Sequence, residues 1–176
     1  MGETIRTAVV GVGSLGRHHA RVYAELDPDA FAGVYDTDRE RAEEVARRHG
    51  VRAFASIEAL AGAADAVSVV VPTDRHHEVA CALIDAGCHL LVEKPIASST
   101  REAEDLVARA VARGTMLQVG HIERFNPVLS VLERFAEAPR FIEAHRLAPY
   151  PPGRPEGPPR GTEVSVVLDL MIHDLE

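Results

Sequence analysis

Short, mostly apolar and β-branched runs recur along the chain, at residues 5–10, 31–35, 66–71, 89–92 and 115–119. Each is too short for a stable helix, and most are continuously apolar, which predicts strands buried on both faces. Between them the apolar positions fall three and four apart, predicting amphipathic helices over 15–26, 39–49, 75–86 and 101–113. A weaker strand at 52–54 and a short helix at 57–60 complete the alternation. Strand and helix taking turns in this way predict a doubly wound α/β domain: a parallel Rossmann sheet covered on both sides, ending near Gly120.

Beyond that point the pattern changes. Residues 126–135 have helical periodicity, and 140–148 alternate like a half-exposed strand. The stretch "PYPPGRPEGPPRGTE" at 149–163 can pack as neither helix nor sheet. A last apolar helix is expected after Thr162, a suitable N-cap, and it meets no stop signal after His173. These features predict two parts, a doubly wound α/β domain over 1–121 and a different, incomplete arrangement over 122–176. The chain is thus expected to be the front of something longer.

Composition narrows the function classes. With 176 residues, 46% hydrophobic and 26% charged, the chain can bury one ordinary core. A formal charge of -8 argues against a nucleic-acid partner, which would require a basic face. No apolar run approaches a membrane span and the N-terminus lacks a signal-peptide pattern, so a cytoplasmic protein without membrane contact is expected. Cys81 and Cys88 suit a reducing compartment and read as small hydrophobes. No metal site is expected.

The chemistry begins at "AVVGVGSLGRHHA". Gly11, Gly13 and Gly16 stand in G-x-G-x-x-G spacing between a predicted strand and helix, with Ser14 and Leu15 inside the loop. In that context Gly11 permits the turn, Gly13 admits a pyrophosphate, and Gly16 lets helix pack on strand, with the helix N-terminus facing the anion. Asp36 follows at the end of the second strand, where a carboxylate can bond an adenosine ribose and repel a 2′-phosphate. NAD is therefore expected over NADP, although Arg39 and Arg41 could accommodate the extra phosphate. Asp36 could also simply shape the turn "YDTDRE" together with Asp38. His18 beside the loop could touch a phosphate or merely face solvent, and His19 and His77 carry no signal.

The segment "VVVPTDRHHEVACALIDAGCHLLVEKPIA" (69–97) resembles the strand–helix–strand signature of the Gfo/Idh/MocA oxidoreductases. Pro72, His76, Ala86-Gly87, His89 and Glu93-Lys94-Pro95 stand at the points of that signature. The resemblance implies that Pro72, Thr73, His76, Glu93, Lys94 and Pro95 lie at the cofactor, with Lys94 also catalytic and the Lys94–Pro95 bond cis. It implies that 1–121 is the NAD(P)-binding domain and 122–176 the incomplete start of a second, α+β domain for substrate and dimerisation, which closes a sugar site over the nicotinamide and commonly pairs chains into a homo-oligomer. The family also carries D-x-x-x-H on a helix of that domain, matched here by Asp169 and His173, which share a helix face.

Within the family, "QVGHIERFNP" and "VVLDLMIHD" are similar to the branch oxidising the 3-hydroxyl of UDP-N-acetylglucosamine-type nucleotide sugars. Arg124 and Asn126 are then expected near the substrate, with Phe125, although Asn126-Pro127 could be only a helix start. The implied reaction is hydride transfer between a secondary hydroxyl and the nicotinamide. His173 would be the base, Asp169 the orienting group, and Lys94 the donor to the oxygen that becomes a carbonyl. The alternative is a dinucleotide-binding module left without chemistry by truncation.

Overall fold

The computed structural model describes residues 4–132 and, beyond them, only 141, 143, 145, 165, 167, 171 and 172. The chain divides into two compact units, Met1–Val119 and Gly120–Glu176. In the first unit, β1 (Thr7–Val10), β2 (Phe31–Tyr35), β3 (Arg52–Ala53), β4 (Ala66–Val69), β5 (His89–Val92) and β6 (Leu117–Val119) alternate with helices. These are α1 (Gly16–Leu26), α2 (Arg39–His49), α3 (Ile57–Ala61), α4 (His76–Asp85) and α5 (Thr100–Arg113). The six strands are parallel throughout and lie in the order β3-β2-β1-β4-β5-β6. The chain thus winds outward from β1 in one direction, then returns to β4 and winds out in the other. This is the Rossmann arrangement expected from the alternation.

Successive residues of a strand point to opposite faces, so each central strand feeds two cores. Ala8 and Val10 join Val67, Val69, Leu90 and Val92 under α3, α4 and α5, where Leu60, Leu83, Ile84 and Leu106 are fully buried. Val9 and Val34 face the other way, onto Ala20 of α1 and Ala42, Val45 and Ala46 of α2. Helices on both faces explain why the central strands read as continuous apolar runs.

Several boundaries are tighter than the sequence pattern predicts. β4 stops at Val69 rather than 71, because the Val71 carbonyl lies against a side chain of α4. β1 starts at Thr7, since Arg6 is turned into a side-chain clamp with Asp65 at the foot of β4. The α4 region begins with a separate 3-10 turn over Thr73–Arg75. In the second unit a 3-10 turn (Ile122–Phe125) leads to α6 (Pro127–Leu132), within the predicted helix at 126–135. The predicted strand at 140–148, the proline-rich loop and the final helix lie largely outside the described residues.

Two consequences can be measured. Leu106→Ala, at a fully buried position, is expected to cost about 2–5 kcal/mol in urea unfolding. Val111→Ala, on the exposed face of the same helix, should cost less than about 0.5 kcal/mol.

The Arg6 guanidinium and backbone N–H also hold the Asp65 carboxyl down at about 2, below its ordinary value. A depressed carboxyl stabilises the fold above the unfolded-state value near 4 and loses that contribution as pH falls toward 2. Both partners are part-exposed, so the effect is modest and screened by salt. Asp65→Asn should flatten the corresponding part of the stability–pH curve, more visibly at low salt than at high.

Candidate active site at the carboxyl ends of the strands

Register fixes the frame. Val10 is paired with Val69, and Val69 with Val92, so β1, β4 and β5 end level with one another. The residues that follow, Gly11, Val70 and Glu93, therefore leave the sheet along one rim. Open parallel sheets bind ligands at this rim, where the winding reverses between β1 and β4.

The three glycines have different physical reasons. Gly11 has φ +85, and a Cβ there would strike the Val70 carbonyl of β4's exit. Gly16 is packed so closely that a Cβ would overlap the Gly11 carbonyl oxygen. Both are demanded by the fold itself, for a tight turn and a close helix. Gly13 is not: its φ is ordinary, and a Cβ would meet nothing within 4 Å. Nothing among the described residues requires the space above Gly13, which fits a loop kept bare for an incoming ligand.

Capping tells the same story. The side chains of Asp38, Ser56 and Ser99 accept from the backbone N–H groups of Arg41, Ala59 and Glu102, closing the N-termini of α2, α3 and α5. α1 has no side-chain cap and no acidic residue in its first turn. α4, which opens behind the 3-10 turn, also lacks a side-chain cap. The uncapped helix starts thus follow β1 and β4, the two strands that flank the reversal. Such an N-terminus offers partial positive charge to an anion.

Asp36 is nearly enclosed, its side chain 7% exposed. One oxygen accepts the Val12 N–H at 2.8 Å, tying the glycine loop to the end of β2. The other accepts the Asp38 N–H at 2.9 Å, forming the turn that the sequence also allowed. Arg41 lies across it, with Nη1 at 3.2 Å and Nη2 on Asp38 at 2.8 Å. Arg39 instead pairs with Glu43.

At the end of β5, the Lys94–Pro95 bond is cis, as the resemblance implies. Lys94 is part-buried and Pro95 buried. Pro72 is exposed, while Thr73 is buried beside it. His76, expected at the cofactor, sits instead behind the site: it is 1% exposed. Its Nδ1 lies 2.8 Å from the Pro95 carbonyl oxygen and its Nε2 2.9 Å from that of Val71. It therefore braces the exit of β4 against the turn that carries Lys94. Direct contact with a ligand is a poor description of a ring so enclosed.

Sequence reasoning also passed over His19, which is central here. Its two ring nitrogens lie 3.2 Å from Ser68 Oγ and 3.1 Å from Glu93 Oε1. Tyr23 reaches the same Ser68 hydroxyl at 2.8 Å. Ser68 is fully buried in β4, so a polar chain runs from α1 along one face of the sheet to the carboxylate of E-K-P. A serine inside an otherwise apolar strand was the available signal, because a buried hydroxyl needs partners. His18 is exposed on α1.

Arg124 and Asn126 belong to the second unit and are exposed. Asn126 Oδ1 accepts the Val128 N–H at 3.1 Å and its Nδ2 donates to Glu123, so it shapes the start of α6. Asp169 and His173 lie outside the described residues.

A Rossmann sheet with a bare glycine loop and an uncapped first helix is a frame suited to a dinucleotide. The profile of the oxidoreductase family with an NAD-binding Rossmann fold, Gfo/Idh/MocA, matches residues 5–121, and the chain belongs to that family.

Among its relatives is UDP-N-acetylglucosamine 3-dehydrogenase of Acidithiobacillus ferrooxidans, 45% identical over 173 residues, covering 98% of this chain and 52% of that protein. A solved structure of that enzyme superposes with a TM-score of 0.86 at 45% identity, covering 97% of this chain and 54% of the other. The scyllo-inositol 2-dehydrogenase (NAD(+)) of Bacillus subtilis is 31% identical over 188 residues, covering 100% of this chain and 53% of its own. A protein of gentamicin A biosynthesis, solved in complex with NAD, superposes at a TM-score of 0.72 with 32% identity, covering 78% and 40% of the two chains. The chain spans about half the length of the curated relatives it matches. Among the described residues, no helix is long and apolar enough to cross a membrane.

The glycines separate fold from function in a single measurement. Gly16→Ala should lower stability by about 1–3 kcal/mol through overpacking against the Gly11 carbonyl. Gly13→Ala should leave the urea midpoint unchanged or slightly raised.

Proposed function

We propose that the whole protein is an NAD-dependent dehydrogenase acting on a secondary hydroxyl of a sugar, specifically the 3-hydroxyl of a UDP-N-acetylglucosamine-type nucleotide sugar. The observation that carries this reading is the level rim. The glycine loop after β1 and the lysine turn after β5 leave the sheet on the same edge, in a chain 45% identical to a UDP-N-acetylglucosamine 3-dehydrogenase. The division into a dinucleotide-binding domain (1–121) and a substrate and dimerisation domain begun at 122 is part of the same proposal.

Gly11, Gly13, Ser14, Leu15 and Gly16 hold the pyrophosphate on the open N-terminus of α1, and Asp36 takes the adenosine ribose hydroxyls. NAD is favoured over NADP because a carboxylate at the end of β2 would repel a 2′-phosphate. Pro72, Thr73, Glu93 and Pro95 line or support the rim. When bound, the nicotinamide serves as hydride acceptor. Lys94 donates a hydrogen bond to the substrate oxygen as it becomes a carbonyl, favouring the charge that develops there. His173 takes the hydroxyl proton, and Asp169 orients the hydroxyl or the imidazole. Arg124 and Asn126 sit at the substrate mouth in this reading, and two free cysteines suit the reducing cytoplasm.

The test is an absorbance assay at the nicotinamide band with the whole protein, NAD and UDP-N-acetylglucosamine. Turnover is expected, and dinucleotide binding without turnover would sink the dehydrogenase reading. Lys94→Ala should cut kcat by about 100-fold or more with little change in the dinucleotide Kd. Gly13→Ala should weaken dinucleotide binding, followed by quenching of cofactor fluorescence, while the fold survives. Equal losses of binding and turnover in Lys94→Ala would contradict the role given to it.

A further inference from the structure

On α4 and α5, three side chains outside the proposed active site meet in a set that binds thiophilic cations. His77 and Cys81 lie four residues apart on α4 and share one face. Asp105 approaches them from α5. His77 Nε2 is 2.8 Å from Asp105 Oδ2, and Cys81 Sγ is 3.6 Å from that nitrogen and 3.8 Å from that oxygen. All three side chains are part-buried, held in place yet open to solvent.

These separations resemble the edges of a tetrahedron around zinc. With bonds of about 2.0–2.1 Å to nitrogen and oxygen and about 2.3 Å to sulfur, such a tetrahedron has a nitrogen–oxygen edge of roughly 3.4 Å and sulfur edges of roughly 3.6 Å. The sulfur edges are already met. The nitrogen–oxygen pair has to open by about 0.6 Å, a small rotation of the Asp105 carboxylate as its hydrogen bond gives way to metal bonds. A mixed sulfur, nitrogen and oxygen set favours zinc or cobalt over magnesium or calcium.

We propose that His77, Cys81 and Asp105 form a site for a zinc-class divalent cation that pins α4 to α5, with water as the fourth ligand. The Cys81 thiol gives up its proton as the ion binds, because the thiolate is the ligand. Arg109 is the built-in competitor: its Nε donates to the same Asp105 Oδ2 at 2.8 Å, and a guanidinium opposes a dication beside it. It has somewhere to go, because its Nη1 already reaches Asp85 at 3.4 Å. None of these residues belongs to the glycine loop or the lysine turn, so the site stands or falls separately from the dehydrogenase reading.

Untagged protein titrated with cobalt(II) reads this directly. Expected is uptake of one equivalent, with a thiolate-to-cobalt charge-transfer band and the intense visible bands of four-coordinate cobalt, both erased by added zinc. Cys81→Ser should abolish the charge-transfer band. Cys88→Ser should keep it, since that thiol is buried against the Ala64 carbonyl. His77→Gln and Asp105→Asn should each weaken cobalt binding by about tenfold or more, whereas Arg109→Gln should tighten it. Zinc should raise the thermal midpoint of the wild type and not of Cys81→Ser. Weak six-coordinate cobalt bands alone, a charge-transfer band that survives Cys81→Ser, or looser binding in Arg109→Gln would each overturn the site.

Discussion

Parallel pairing with no slip between β1 and β4 or between β4 and β5 is the constraint from which the rest of the site follows. The three strands end together, so the loops after them emerge at one height and the polar groups they carry gather along one edge. The apolar faces of those strands supply the stability, and their ends are released from packing duty. A one-residue slip would turn Ala8, Val10, Val67 and Val69 out of their core and scatter the loops. Burial on both faces forbids it.

The fold was legible in the sequence because both of its signals are local. Period-two burial on two faces made the central strands continuous, and the intervening helices showed their 3.6-residue stripe. Errors fell at boundaries, where a tertiary contact wins over local pattern. The foot of β1 yields to the Arg6–Asp65 clamp, and the head of β4 yields to the His76 contact with the Val71 carbonyl. Neither can be read from neighbours in the chain, since each joins residues from different elements.

The candidate site was legible where a motif occupies one loop, as with Gly11 to Gly16 and Glu93 to Pro95. It was illegible where function depends on a support from behind. His76 stood in the family signature, yet in the fold its ring is enclosed between two carbonyls. His19 had no motif at all, and its partners Ser68 and Glu93 lie 49 and 74 residues away. Spacing along a sequence cannot report such distances.

The chain of contacts through Tyr23, Ser68, His19 and Glu93 has an evolutionary corollary. It welds the helix that carries the glycine loop to the turn that carries the lysine, entirely within the first unit. A unit so tied together leaves little freedom for change at those four positions. The names of relatives that match this stretch already range from an inositol dehydrogenase to a nucleotide-sugar dehydrogenase.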